Sequence, residues 1–368
     1  EQPPVIYPTH FFELQTNKLT VGGVELEIQH TPGETDDQII IYYPEKDVVI
    51  SADNYYMRFP NLYTIRGTSY RDSKSWYKSV DAMRSYQPEF LISCHGPFLA
   101  GEEVIEERLS IYRDAIQYIH DYAVRGANAG KTPDELVEEF EYPPFFLENY
   151  DLQEKYGKVS WSIRNVYNGY LGFFDGRAVN LEPLSDKKRA TYIFELIGSR
   201  EKLIEEINNA NSSLNYQWAA ELSDIGLFNF PNDKEIKELY SKSLENLSLI
   251  ETNPIARNYY LSEAYELSGK ITPSLEYSIS AEQAKNIPLS TFFDAMGPRL
   301  DPNKAKGKLI KVGFNITDSN ETYGVVIRNQ IAEISNFYND DYDVIVSVDS
   351  DTWKGIILKT ESAARAIA

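Results

Sequence analysis

HTPGETDDQIIIYYPEKDVVISAD, residues 30–53, contains two short β-branched runs, Ile39–Ile41 and Val48–Ile50, separated by a tight turn at Pro44–Lys46. β-Branched side chains pack well on a pleated surface, and short apolar runs bounded by turn residues read as core strands. The polar residues fall at the strand ends: Glu34 precedes the first strand and Asp53 follows the second. An isolated Asp after a strand is most often a turn residue. Strand ends that carry isolated acids beside a Gly-containing turn are also where hydrolases place metal ligands. Phe90–Ile92 reads as a further buried strand and ends in Ser-Cys-His95-Gly-Pro97, which supplies an imidazole. Cys94 beside it is a lesser candidate.

The residues around this stretch follow in kind. LTVGGVELEIQH, residues 19–30, alternates apolar and polar positions about Gly22–Gly23 and predicts a hairpin. After Asp53 comes a loop, residues 54–68, too aromatic for a solvated linker and too irregular for a helix; long ordered loops of this kind belong to sites. Arg66 lies in it, within Asn61-Leu-Tyr63-Thr-Ile-Arg66-Gly. A planar guanidinium can hold two oxygens of a tetrahedral anion, whereas the simpler reading is a salt bridge to Asp72 or another acid. Asp72 and Ser73 predict a helix cap followed by the stripe Trp76, Val80, Met83.

Composition narrows the function. The formal net charge of -20 opposes nucleic acid or an anionic membrane surface as the main partner. One cysteine excludes a disulfide framework and a cysteine-rich zinc site. The histidines are His10, His30, His95 and His120, so any metal site here is completed by carboxylates or borrows ligands. No apolar run of membrane-spanning length is present.

His30-Thr-Pro-Gly-Glu34-Thr resembles the HTPGHT segment of the metallo-β-lactamase superfamily, with Glu34 where a metal-binding His would stand. Ile50-Ser-Ala-Asp53 resembles its strand ending in a bridging acid, with Ala52 in place of Gly, and Phe90-Leu-Ile-Ser-Cys-His95-Gly resembles its strand closing on a ligand His. The carboxylate at Glu34 and the segment NLYTIRG (61–67) are similar to the zinc-dependent alkyl sulfatases, as are YRDAIQYIHD (112–121), YLGFFDG (170–176) and FFDAMGPRLDPNKAKGK (292–308).

The resemblance implies an α+β multidomain chain. Residues 1–105 would be the carboxy-terminal half of a metallo-β-lactamase αββα sandwich, 106–270 an all-helical dimerisation domain with tetratricopeptide-like helix pairs, and 271–368 an incomplete sterol-carrier-like α+β domain. It implies metal ligation by Glu34, Asp53 and His95, with Asp53 bridging two zinc ions per full-length chain and also serving catalysis. It implies sulfate held by Arg66, with Asn61 and Tyr63 contacting substrate, and a homodimer acting on a small amphiphilic ester.

The family's His-x-His-x-Asp-His motif occurs nowhere here, so it is expected ahead of Glu1, and this chain alone is expected to be inactive. Where the family carries a His-Asn pair, this chain has Trp161 and Ser162, and an indole cannot relay a proton to the ester oxygen. Arg164, Tyr167 and Tyr170 stand nearby as polar contributors or packing residues. Two other readings stay open: a metallo-hydrolase of a different ester or phosphoester, and a non-enzymatic dimeric carrier of amphiphiles.

Further along, Ile105, Leu109, Tyr112, Ile116 and Ile119 form one helical stripe, and Thr132-Pro-Asp-Glu135 predicts a capping box. Residues 289–300 read as one amphipathic helix, followed by four strands of an antiparallel meander. Phe292, Phe293 and Met296 either line an apolar groove or form a packed core.

Overall fold

A computed structural model of the chain describes residues 17–273, 281–339 and 341–362. His10 lies outside them. The chain divides into two compact units, one comprising Phe12–Pro273 and the other Ser274–Ala368 with Glu1–Phe11.

The first unit is built on a six-stranded sheet in sequential order: β1 (Asn17–Val21), β2 (Val24–His30), β3 (Ile39–Tyr43), β4 (Val48–Ala52), β5 (Phe90–Ser93) and β6 (Leu99–Ala100). Gly22 and Gly23, both at positive φ, make the β1–β2 turn, a conformation glycine adopts without a Cβ clash. Pro44–Lys46 forms a single 3₁₀ turn closed by Asp47 in the left-handed region. β4 and β5 pair in parallel, which requires a crossover, and helix α1 (Ser73–Ser85) provides it. Asp72 caps α1 by accepting from the Lys74 and Ser75 backbone N–H groups.

The stripe of α1 is the heart of the core. Trp76, Val80 and Met83 are fully buried and pack with Ile40, Val49 and Leu91 of the sheet and with Ile105, Leu109, Tyr112, Ile116 and Ile119 of α2 (Glu102–Asn128). Full burial of each large apolar side chain contributes about 1.5–3 kcal/mol. β5 departs from expectation: Leu91 is buried, but Phe90 and Ile92 on its other face are exposed. Alternation puts one face of β5 on the α1–α2 layer only.

The expected boundary at 105/106 falls in the first turn of α2. Thr132 and Glu135 make the capping box of α3 (Pro133–Glu138). α4 (Pro144–Glu148) and α5 (Val159–Leu171) follow, and α5 stops at Gly172 at positive φ. Helices α6 (Asp186–Ile197), α7 (Arg200–Ser212), α8 (Tyr216–Asn229), α9 (Lys234–Ile250) and α10 (Pro254–Leu267) then stack in sequence around two small apolar cores.

The second unit carries a four-stranded sheet of β7 (Ile310–Ile316), β8 (Glu321–Arg328), β9 (Ile331–Ser335) and β10 (Val344–Val348), ordered β10-β7-β8-β9. The expected fully antiparallel meander is corrected here, because β10 pairs with β7 in parallel. The connection after β9 is too long for a tight hairpin, and it returns the chain to the open edge of β7. The single helix expected over 289–300 is two short ones, α11 (Leu289–Asp294) and α12 (Met296–Arg299), breaking at Ala295. Phe293 is fully buried, stacked on Tyr323 at 3.9 Å and on Trp353 at 5.3 Å between ring centroids. Phe293 therefore forms packed core. Among the described residues, no helix is long and apolar enough to cross a membrane.

Candidate metal and anion site

The acids converge where β2, β4 and β5 end. Glu34 lies in the β2–β3 loop and is buried; Asp53 follows β4; His95 follows β5. Asn54 ties the first two segments together: its side-chain amide donates to the Thr31 carbonyl (2.6 Å), and its Oδ1 accepts from the Glu34 backbone N–H (3.3 Å). Trp76 Nε1 in turn donates to the Asn54 carbonyl at 3.0 Å. Gly33 is required by this clamp, because a Cβ there would sit 2.1 Å from Asn54 Oδ1.

Asp53 Oδ1 is buried with no hydrogen-bond partner among the described residues, and His95 Nε2 stands 3.5 Å from it, too far for a good hydrogen bond. The Glu34 carboxyl is held above the usual range, first by burial and then by the neighbouring Asp53 charge, against the opposing pull of Arg71. Two neighbouring carboxyls with an imidazole alongside are donors of the kind a divalent cation takes. The His95 side chain is three-quarters exposed, and among the described residues no three His, Cys, Asp or Glu side chains converge as a metal-holding group. Glu34 meets Asp53 and Asp53 meets His95, so the set is pairwise. Cys94 is an exposed free thiol whose pKa is raised by desolvation and then by Asp53 and Glu34. His30 Nε2 is taken up by the Asp36 carbonyl at 2.6 Å.

Ala52 sits at φ +49, in the left-handed region, at a bulge between β4 and β5. A Cβ there is disfavoured by about 1–2 kcal/mol, part of which glycine returns through its greater chain entropy. Ala52→Gly is therefore expected to raise stability by up to about 1 kcal/mol in denaturant unfolding; a loss would show that the Ala52 methyl is needed for packing.

The loop after Asp53 is ordered by bonds from three directions. Phe59 N–H donates to the Gln153 carbonyl, Gly157 N–H to the Phe59 carbonyl, and Asn165 Nδ2 to the Leu62 carbonyl. Asn61 is buried; its backbone N–H donates to Tyr56 Oη at 2.8 Å, and both polar atoms of its side chain are unpartnered. Tyr63 is 37% exposed. A turn closed by Gly67 N–H on the Thr64 carbonyl carries Arg66 at an exposed position. Asp72 is occupied with capping α1, and among the described residues no acid pairs with Arg66.

Beside His95, Tyr56, Met57, Arg58, Gly96, Pro97, Tyr150 and Tyr156 line a cleft of about 540 Å³. Arg58 lies over the Tyr150 ring at 4.5 Å from its centroid and donates to the Tyr150 hydroxyl. On α5, Arg164 is paired with Asp134 and the Tyr170 hydroxyl bonds His120 Nε2, while Ser162 Oγ donates to the Lys158 carbonyl.

Sequence reasoning missed Arg71 and Asn54. Arg71 is buried just ahead of the α1 cap, and its Nη1 donates to Glu34 Oε1 at 3.0 Å. A cation at a helix N-terminus opposes the helix dipole, and that mismatch was the available signal that Arg71 serves an acid elsewhere.

Family models match over three segments: metallo-beta-lactamase superfamily at residues 1–95, alkyl sulfatase dimerisation at 132–270, and alkyl sulfatase C-terminal at 278–368. The linear primary-alkylsulfatase of Pseudomonas sp. (strain ATCC 19151) is 36% identical over 343 residues, covering 90% of this chain and 65% of its own length. The chain belongs to the alkyl sulfatase family of the metallo-β-lactamase superfamily. The (R)-specific secondary-alkylsulfatase of Pseudomonas sp is 29% identical, over 89% of this chain and 50% of its own. The solved structure of the stereoselective inverting sec-alkylsulfatase Pisa1 from Pseudomonas sp. matches with a TM-score of 0.92 at 28% identity, covering 99% of this chain and 58% of that one. The chain thus spans between half and two thirds of these relatives' lengths. Membership in this superfamily implies a bound metal, typically zinc.

Proposed function

We propose that the protein is a zinc-dependent hydrolase of alkyl sulfate esters that works as a homodimer. The observation that carries this reading is the buried, unpartnered Asp53 Oδ1, which faces the Glu34 carboxyl with His95 Nε2 at 3.5 Å. Glu34, Asp53 and His95 would hold the metal in the full-length enzyme. Bound zinc supplies Lewis acidity and an activated water at these strand ends. Arg66 grips the sulfate and offsets the charge that grows on it as the ester breaks. Tyr63 and the Asn61 segment shape the wall beside it. The alkyl chain is assigned to the aromatic cleft beside His95, since Phe293 in the second unit is stacked into core.

Trp161 favours a second reading, hydrolysis of a different anionic ester, because it stands where a proton relay is expected. The test is metal analysis together with turnover of dodecyl sulfate and of a phosphate ester of the same chain length. About two zinc ions per full-length chain and sulfate turnover lost on chelation and restored by zinc are expected. Turnover of the phosphate ester alone would favour the second reading, and a metal-free, inert protein would refute both.

A further inference from the structure

One nitrogen of Arg71 serves two segments. Nη1 donates to Glu34 Oε1 at 3.0 Å and to the Asn61 carbonyl at 2.7 Å. Glu34 stands among the acids of the strand ends, and Asn61 opens the segment that carries Arg66. Arg71 is 6% exposed and its Nε has no partner among the described residues, so its hydrogen bonds to Glu34 and Asn61 are what hold the buried guanidinium at this junction. The pair uses one carboxylate oxygen of Glu34, although a fork-to-fork pairing would use both. The Asn61 backbone is clamped from its other side by the Tyr56 hydroxyl.

We propose that Arg71 is a positioning residue that couples the metal site to the anion site. By holding Glu34 and the Asn61 carbonyl with a single nitrogen, it orients the carboxylate toward the metal and sets the register of the Arg66 turn in the same act. A shift at either end is transmitted to the other through one guanidinium. This rests on the reading of Glu34 as a ligand and Arg66 as the sulfate grip.

The test measures zinc affinity by chelator competition, the inhibition constant of inorganic sulfate, and melting of the metal-free protein, in the full-length enzyme and its Arg71→Lys variant. Lysine keeps the charge beside Glu34 but lacks the planar fork. Zinc affinity is expected to fall about 10–100-fold, the usual effect of losing a group that orients a ligand, with the sulfate inhibition constant rising in parallel. Arg66→Gln is expected to raise the sulfate constant while zinc affinity stays unchanged. Tyr56→Phe, a near-isosteric change that removes the hydroxyl holding the Asn61 backbone, is expected to weaken both and covers the case in which Arg71→Lys does not fold. If Arg71→Lys lowers melting alone, or if zinc and sulfate affinities change independently, the coupling is overturned. If the unmutated enzyme neither holds zinc nor hydrolyses sulfate esters, the functional reading itself fails, and this inference with it.

Discussion

Replacing Arg66 by alanine in the full-length enzyme is expected to lower kcat/KM for a long-chain alkyl sulfate by about 10²–10³-fold, roughly 3–4 kcal/mol of transition-state stabilisation. The reason is that this guanidinium is not spent elsewhere. It stands exposed on the Thr64–Gly67 turn, its nearest sequence acid Asp72 caps α1, and among the described residues none neutralises it. An arginine engaged in a surface ion pair would have to exchange partners to bind an anion; Arg66 has no such pair among the described residues. Stability is expected to stay within about 0.5 kcal/mol, since nothing buried is disturbed. Arg66→Lys should recover only part of the loss, because an ammonium cannot grip two oxygens in one plane. Steady-state kinetics beside thermal melting make the measurement. Unchanged kcat/KM would transfer the sulfate to another cation, with Arg58 at the His95 cleft the next to test.

Gly157→Ala is expected to destabilise the first unit by about 3 kcal/mol or more, at or above the upper end of overpacking penalties. A Cβ at Gly157 would lie 2.0 Å from the Pro60 carbonyl oxygen, 2.5 Å from its carbon and 2.9 Å from the Asn61 Cα. All three are backbone atoms, so no rotamer change relieves the clash. Asn253 also fixes the Gly157 segment by donating to the carbonyls of Glu154, Tyr156 and Gly157. The segment that must give way therefore includes Asn61, just ahead of the Arg66 turn. At this size the loss corresponds to a fall in Tm of roughly 6–12 °C, together with weaker inhibition by inorganic sulfate. Melting unchanged within a degree or so would mean the two loops are not in contact.

Much of the fold around the candidate site was legible because its signals are local. The β-branched runs about Pro44, the Gly22–Gly23 hairpin, the Asp72 cap and the Trp76–Val80–Met83 stripe are each decided within a few residues, and each forms as read. Glu34, Asp53 and His95 were singled out as candidates by their strand-end positions together with the resemblance of their motifs. What holds them was not found, because Asn54 reaches Thr31 and Glu34, and Arg71 reaches Glu34 across 37 positions. The parallel β10, the break at Ala295 and the open face of Phe90 and Ile92 were missed for the same reason. Each depends on which edge or face a distant segment covers.

The sequence by itself determined most of the elements with their caps and turns, and marked the acids at strand ends and Arg66 as candidates, since periodicity and turn chemistry act within a few residues. Only the tertiary structure decided that Glu34 is buried against Arg71, that Asp53 keeps an unpartnered oxygen, and that Gly33 and Gly157 must lack a side chain. Those facts arise from close approach between segments far apart in the chain, where burial removes water as a partner and leaves each polar group dependent on what the fold brings to it.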